Sequence, residues 1–342
     1  MKFNLQKFFR DPPIPQTSDS ENARGELRAK SSFVQEVGVT IVLLVFILLV
    51  VFGVTGKLPM QVASWAAFIA ILIVPGYLLT SILCFYHPME LLERLALSLP
   101  MGWAVFSLPG LVVMVSHLTY KHLIIGYLIT TALVFIASLV FQYAKRDLPY
   151  PKITPWKTDE IVLVIILAAA FLAILPFLSS ISIDGDLFTF ITTVTDTLSG
   201  EPIGMRDPMF GTDLSPGLRA MFNQMIPLMT LWTHFSNISA VDLGAYASRA
   251  TFALWGLFAV FYLGKAVGNG SRRIGLLAAC IQLLIYLASP FFRAQNDSTY
   301  YFLRTNADKF TVTLTLLPIT FGLVLQYIQV GKRVIWIAAA LS

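Results

Sequence analysis

Charge is what this sequence has least of. Only 13% of its 342 residues are Asp, Glu, Lys or Arg, while 56% are hydrophobic, and mean hydropathy is +0.74. Soluble domains carry roughly 25% charged residues, so this chain cannot cover itself with a water-compatible surface. Cysteine is nearly absent: Cys84 and Cys280 lie in or beside apolar segments and have no zinc-ligand spacing, which excludes a disulfide framework. Histidine is as scarce. His87, His117, His122 and His234 are scattered without an i, i+4 pair and read as interfacial side chains rather than metal ligands. The net charge of +5 and pI of 9.1 come from short basic clusters between apolar runs. No basic stripe forms, so nucleic acid is excluded as a partner.

What is present is a series of long apolar runs. A hydrocarbon core of about 30 Å takes roughly 20 helical residues, and runs of that order occur near 37–55, 62–84, 101–119, 122–143, 160–179, 245–264, 274–292 and 309–330. Backbone groups in lipid must be satisfied within the segment, so helices are forced. The expected fold class is an all-α polytopic membrane protein of about eight transmembrane helices, with amphipathic surface helices in one large external loop. Residues 1–36 form a polar tail rich in Pro, Ser and charge. The Pro-rich stretch "DLPYPKITPWKTDE" marks a boundary near residue 150, between a four-helix module (37–150) and a membrane core (151–342). Val334–Ser342 is apolar but amounts to only about 14 Å of helix, and the expectation is an incomplete ninth helix.

An N-terminus in the cytoplasm puts Lys2, Lys7, Arg10, Arg24, Arg28, Lys30, Arg94, Lys145, Arg146, Lys152, Lys157, Lys265, Arg272, Arg273, Lys332 and Arg333 on that side. These are the majority of the 24 Lys and Arg, so the positive-inside rule selects this orientation in the cytoplasmic (plasma) membrane. Pro75 should kink the second helix, and Glu90, Glu93 and Arg94 should form neighbouring pairs on a cytoplasmic connection. The loop of about 180–243 is then extracytoplasmic. It carries Asp184, Asp186, Asp196, Glu201, Asp207, Asp213 and Asp242 against Arg206 and Arg219.

Within that loop, Leu187, Phe190, Ile191, Val194 and Leu198 recur at helical spacing, which predicts an amphipathic helix over 187–199 suited to a membrane surface. Gly200 and Pro202 end it. A second surface helix is predicted from about Pro216 to His234. The "DGD" at 184–186 has two readings: Asp as helix cap and turn former, or a carboxylate at headgroup level positioned to take a proton.

The outgoing helix, the acidic pair at its outer end, the amphipathic helix, the "GEP" turn and the second helix together resemble the first external loop of the GT-C class of integral-membrane glycosyltransferases. The likeness is to the protein O-mannosyltransferase and lipid A aminoarabinose transferase branch. "ASRATFALWGLFAVFYLGKAVGNGSRRIGLLAACIQLLIYLASP" resembles the next two helices, and "TNADKFTVTLTLLPIT" the start of the following one, with Asp308 at a recurrent acidic position. The resemblance covers about residues 160–342; "PGYLL" and "LERLALSL" resemble an accessory membrane module. It implies a sugar moved from a polyprenyl-phosphate donor to an extracytoplasmic glycan, lipid or protein acceptor in the cell envelope. Asp186 is then the candidate general base, and Asp184 its orienting group or a ligand for a divalent cation. Arg249, Arg293, Arg304 and Lys309 become candidate phosphate clamps, with Asp308 and Glu201 as further site candidates. Where relatives carry a second acid directly after the base, this chain has Leu187, which leaves open whether Asp186 or Asp184 is the base and keeps a non-catalytic subunit of a membrane assembly as the alternative. Membrane lipid is a partner on either reading.

Overall fold

In a computed structural model, the structure describes residues 45, 48, 55–56, 58–84, 89–144, 156–178, 185–203, 224–288 and 311–342. The described chain is built from helices and turns. Among the described residues, six helical stretches are long and apolar enough to cross a membrane: Met60–Leu83, Leu91–Val115, Tyr120–Phe141, Thr158–Leu175, Ala240–Val267 and Val312–Val330. The expected span over 37–55 lies outside the described residues except for Val45 and Leu48, and the expected span over 274–292 appears as the helix Arg272–Ala288.

The elements in chain order are α1 (Met60–Phe68), α2 (Val74–Cys84), α3 (Leu91–Val115), α4 (Tyr120–Ala144), α5 (Thr158–Leu178), α6 (Gly185–Leu198), α7 (Met225–Ser236), α8 (Ala240–Asp242), α9 (Ser248–Val267), α10 (Arg272–Ala288), α11 (Leu317–Val330) and α12 (Arg333–Leu341). Three π segments interrupt them: Ile69–Ile73, Leu243–Ala247 and Val312–Leu316. Two of these have a proline cause. Pro75 and Pro318 cannot donate to the residue four back, and their rings crowd the carbonyls of Ile71 and Leu314, which lie inside the first and third π segments. The kink expected at Pro75 therefore takes the form of a widened turn. The Tyr127 hydroxyl donates to the Ala70 carbonyl within it, at 2.8 Å.

The third helix corrects the sequence reading. It starts at Leu91, ten residues before the expected position, and runs through both Pro100 and Pro109. Its start is set by Glu93, whose carboxylate accepts from the Glu90 N–H at 2.8 Å and satisfies a first-turn donor. Glu160 does the same for Lys157 at the start of α5, at 3.0 Å.

Close packing follows the small residues. A Cβ on Gly76 would overlap the Ser98 carbonyl, and one on Gly102 would overlap that of Leu72, so α2 and α3 cross with backbones in contact. Helix α9 is the hub. Gly264 meets Ala278 and Gly275 meets Phe261, which seats α10, and Tyr262 packs on Gly322 of α11. The main core gathers Phe68, Trp232, Phe252 and Trp255, with Phe68 4.8 Å from Trp232 and 5.5 Å from Trp255 between ring centres. The Trp232 indole donates to the Ser64 carbonyl at 2.8 Å. A second core joins α2, α3, α9, α11 and α12. Helix α12 lies along α11, with Ile335 and Ala338 buried and Ser342 Oγ 2.9 Å from Thr320 Oγ1.

The ends of these helices define two faces. One, the loop face, carries α6, α7, α8 and the start of α9. The other, the charged face, carries the starts of α3, α5 and α10 and the end of α9.

Candidate functional site

On the loop face, α6 forms over nearly the range expected. Ile191 and Val194 are buried, with Phe190 and Leu198 packed beside them. Its apolar stripe is taken up by α7 and α8 rather than left for lipid. The threonine hydroxyls fold back on their own helix: Thr193 donates to the Thr189 carbonyl at 2.8 Å and Thr195 to the Ile191 carbonyl at 2.9 Å. The helix stops at Leu198, and Gly200 takes the left-handed conformation at φ +113°. Buried Ile203 then donates its N–H to the Leu118 carbonyl at 3.4 Å, tying the end of this segment to the turn between α3 and α4.

The second loop helix differs from expectation. It runs from Met225 to Ser236 instead of Pro216 to His234, with residues 204–223 outside the described set, and all of it but His234 is buried. It is a core element, held through Trp232 and closed by Asn237 in the left-handed conformation at φ +53°. Asp242, one of the loop acids, serves as a cap partner. Ser239 Oγ accepts from the Asp242 N–H at 3.0 Å and donates to its carboxylate at 2.7 Å. Burial holds the His234 imidazole pKa below its usual value.

Of the predicted site residues, Asp186 is the second residue of α6, and Arg249 is the second residue of α9. The Arg249 side chain is 1% exposed and engaged in an interaction. A buried guanidinium is electrostatically costly without anionic partners. Helix α6 packs against α8, and α8 runs through the π segment Leu243–Ala247 straight into Arg249, so the two candidates sit on adjoining elements. Glu201, half-buried, follows α6 directly and is also engaged. Asp184, Arg293, Arg304, Asp308 and Lys309 lie outside the described residues. Among the described residues, no group of three His, Cys, Asp or Glu side chains is placed to hold a metal.

The charged face holds a constellation that sequence reasoning missed. Arg272 clasps Glu90 with two bonds, Nε to Oε2 at 2.8 Å and Nη2 to Oε1 at 2.7 Å, while its Nη1 donates to Glu160 at 2.6 Å. Lys265 joins at 3.2 Å from Glu90 and 3.0 Å from Glu93. The Arg272 guanidinium also lies 4.5 Å over the Trp156 ring. Lys265, Arg272, Glu93 and Glu160 are nearly buried, with side-chain exposures of 5–8%. Burial alone would raise the Glu90 pKa, but Arg272 and Lys265 together hold it below the usual carboxylate value.

This overturns the expected pairing of Glu90, Glu93 and Arg94 along their own helix. The acids reach across to residues far along the chain, and Arg94 instead donates to Ser81 Oγ at 2.7 Å while stacking 4.4 Å from the Tyr77 ring centre. The available sequence signal was the Glu at the third position of two helices, Glu93 and Glu160, each flanked by membrane-edge cations on other segments. Comparison with protein-family models, with curated proteins and with solved structures returns no match.

Proposed function

We propose that the chain is a membrane glycosyltransferase of GT-C type, which moves a sugar from a polyprenyl-phosphate donor to an acceptor on the loop face, taken as extracytoplasmic. The observation that carries the reading is the start of α6. It begins at Gly185, only a few residues beyond α5, so Asp186 sits in the first turn of a helix whose apolar side is locked onto the buried α7. In this reading, the helix start gives the Asp186 carboxylate a packed support beside the end of a membrane-spanning helix.

In this proposal the acceptor hydroxyl gives its proton to Asp186 while its oxygen bonds to the anomeric carbon of the donor sugar. The bond from that carbon to the phosphate oxygen breaks, and the phosphate leaves with the electron pair. A phosphate needs no proton to depart, so one carboxylate is enough, unlike the two used by glycosidases. Arg249 is the cation assigned to the phosphate charge, joined in the proposal by Arg293, Arg304 and Lys309.

The test is Asp186→Asn in the full chain reconstituted in lipid. Release of polyprenyl phosphate from a polyprenyl-phosphate-linked sugar is read by mass spectrometry. Removal of a general base should lower transfer by at least about 100-fold with thermal stability nearly unchanged. A pure capping role predicts the reverse, a loss of about 1 kcal/mol in stability with transfer retained. Normal transfer with both Asp184 and Asp186 replaced by Asn would end the catalytic reading.

A further inference from the structure

Helices α5, α9 and α10, with contributions from α1 and α3, enclose a lateral cleft of about 380 Å³. Its lining is hydrocarbon and aromatic throughout. Helix α5 contributes the stripe from Val164 to Leu175, while Leu92 and Leu276 lie at the end nearer the charged face and Trp65 and Leu254 at the end nearer the loop face. Ala168 and Leu172 on its edge are exposed, the latter by 65%, so the cleft opens sideways from the bundle.

Water does not settle in such a space, because it needs two or more polar partners. Leaving it empty forfeits the dispersion contacts of every lining residue. The bundle belongs in hydrocarbon, and hydrocarbon is what fits. From Val164 to Leu175 the stripe rises about 16 Å, close to half of the roughly 30 Å bilayer core. That is the reach of one chain from one leaflet. At the charged face, the same α5 and α10 that wall the cleft carry Asp159 and Arg273, exposed by 47% and 67% and 3.7 Å apart. An open cation beside an open anion complements a headgroup that carries both a phosphate and an ammonium.

We propose that this cleft holds one acyl chain of a zwitterionic phospholipid from the leaflet at the charged face, with the headgroup over Arg273 and Asp159. The site is separate from the loop face and does not depend on the glycosyltransferase reading.

The experiment uses the full chain in phosphatidylcholine nanodiscs doped with a phosphatidylcholine bearing a photoreactive diazirine on its acyl chain. Cross-linked peptides are mapped by mass spectrometry. Labelling should concentrate on Val164–Leu175 and Leu254–Phe261, above the lipid-exposed side of α4 at Leu133, Ile136 and Val140. Ala168→Trp fills an exposed edge of the cleft, and the loss of several methylene contacts should cut cleft labelling at least about tenfold while α4 labelling stays constant. Should that variant lose its monodisperse elution, Leu172→Trp on the rim makes the same test. A diazirine phosphatidylglycerol should label the cleft less well, and equal labelling overturns the headgroup assignment. Labelling no higher than on α4, or unchanged by the tryptophan, overturns the site. So does displacement of the probe by polyprenyl phosphate but not by phosphatidylcholine, or disulfide formation between a cysteine placed at 168 and a second one placed within 37–55, since either names a different occupant.

Discussion

Replacing Arg272 by Met tests the charged face most directly. Among the described residues, the guanidinium is the group that holds both Glu90 and Glu160, through bonds of 2.6–2.8 Å. Methionine keeps much of the stem but leaves Glu160, at 8% side-chain exposure, without its cation. Removing one partner of a buried pair costs about 3–5 kcal/mol, because the remaining charge stays desolvated. Loss of the stack on Trp156 adds about 1 kcal/mol. Lys265 still reaches Glu90 and offsets part of that side of the cluster. The expected destabilisation is therefore about 3–5 kcal/mol, read by unfolding in SDS-containing mixed micelles. The double variant Arg272→Met with Glu160→Gln removes the stranded charge and should recover at least about 1 kcal/mol, a coupling that the double-mutant cycle isolates. A single-variant cost below about 1 kcal/mol is the value for solvated surface pairs. It would refute the reading of Arg272 and Glu160 as a desolvated pair that joins α5 and α10.

Gly102→Leu should push α3 off the π segment Ile69–Ile73, because a side chain there overlaps the Leu72 carbonyl; a loss of at least about 1–3 kcal/mol in the same unfolding assay is expected. His234 makes stability depend on acid: its folded pKa is depressed, so its contribution is complete above the unfolded value of about 6.5 and is lost as pH falls below it. His234→Phe should flatten the stability profile between pH 7 and 5, and an unchanged slope would assign the dependence elsewhere. For topology, single cysteines at Thr212 and Ser18 probed with an impermeant thiol reagent on intact cells should label only at Thr212, and labelling at Ser18 reverses the orientation.

Much of the helix inventory could be read from apolar run length, because a bilayer-spanning segment must satisfy its own backbone bonds. The start of α3 could not. The apolar run was placed from 101, yet the helix runs back through Pro100 to the Glu90–Glu93 start, since tertiary packing of Ala96, Leu97 and Leu99 outweighs one missing donor. Helix α6 was legible from its period and its Gly200 stop. The fate of its apolar face was not, because the pattern is the same whether lipid or α7 covers it.

By itself, the sequence determined that this is an all-helical chain fit for a membrane, where its apolar helices lie, and that an acidic segment follows α5. Those are consequences of local composition and period. Only the tertiary structure decided that α7 is core, that Arg249 is buried, and that Glu90 and Glu93 answer to Lys265 and Arg272 rather than to Arg94. The partners are separated by up to 182 residues, and an ion pair depends on distance in space, which no local pattern encodes.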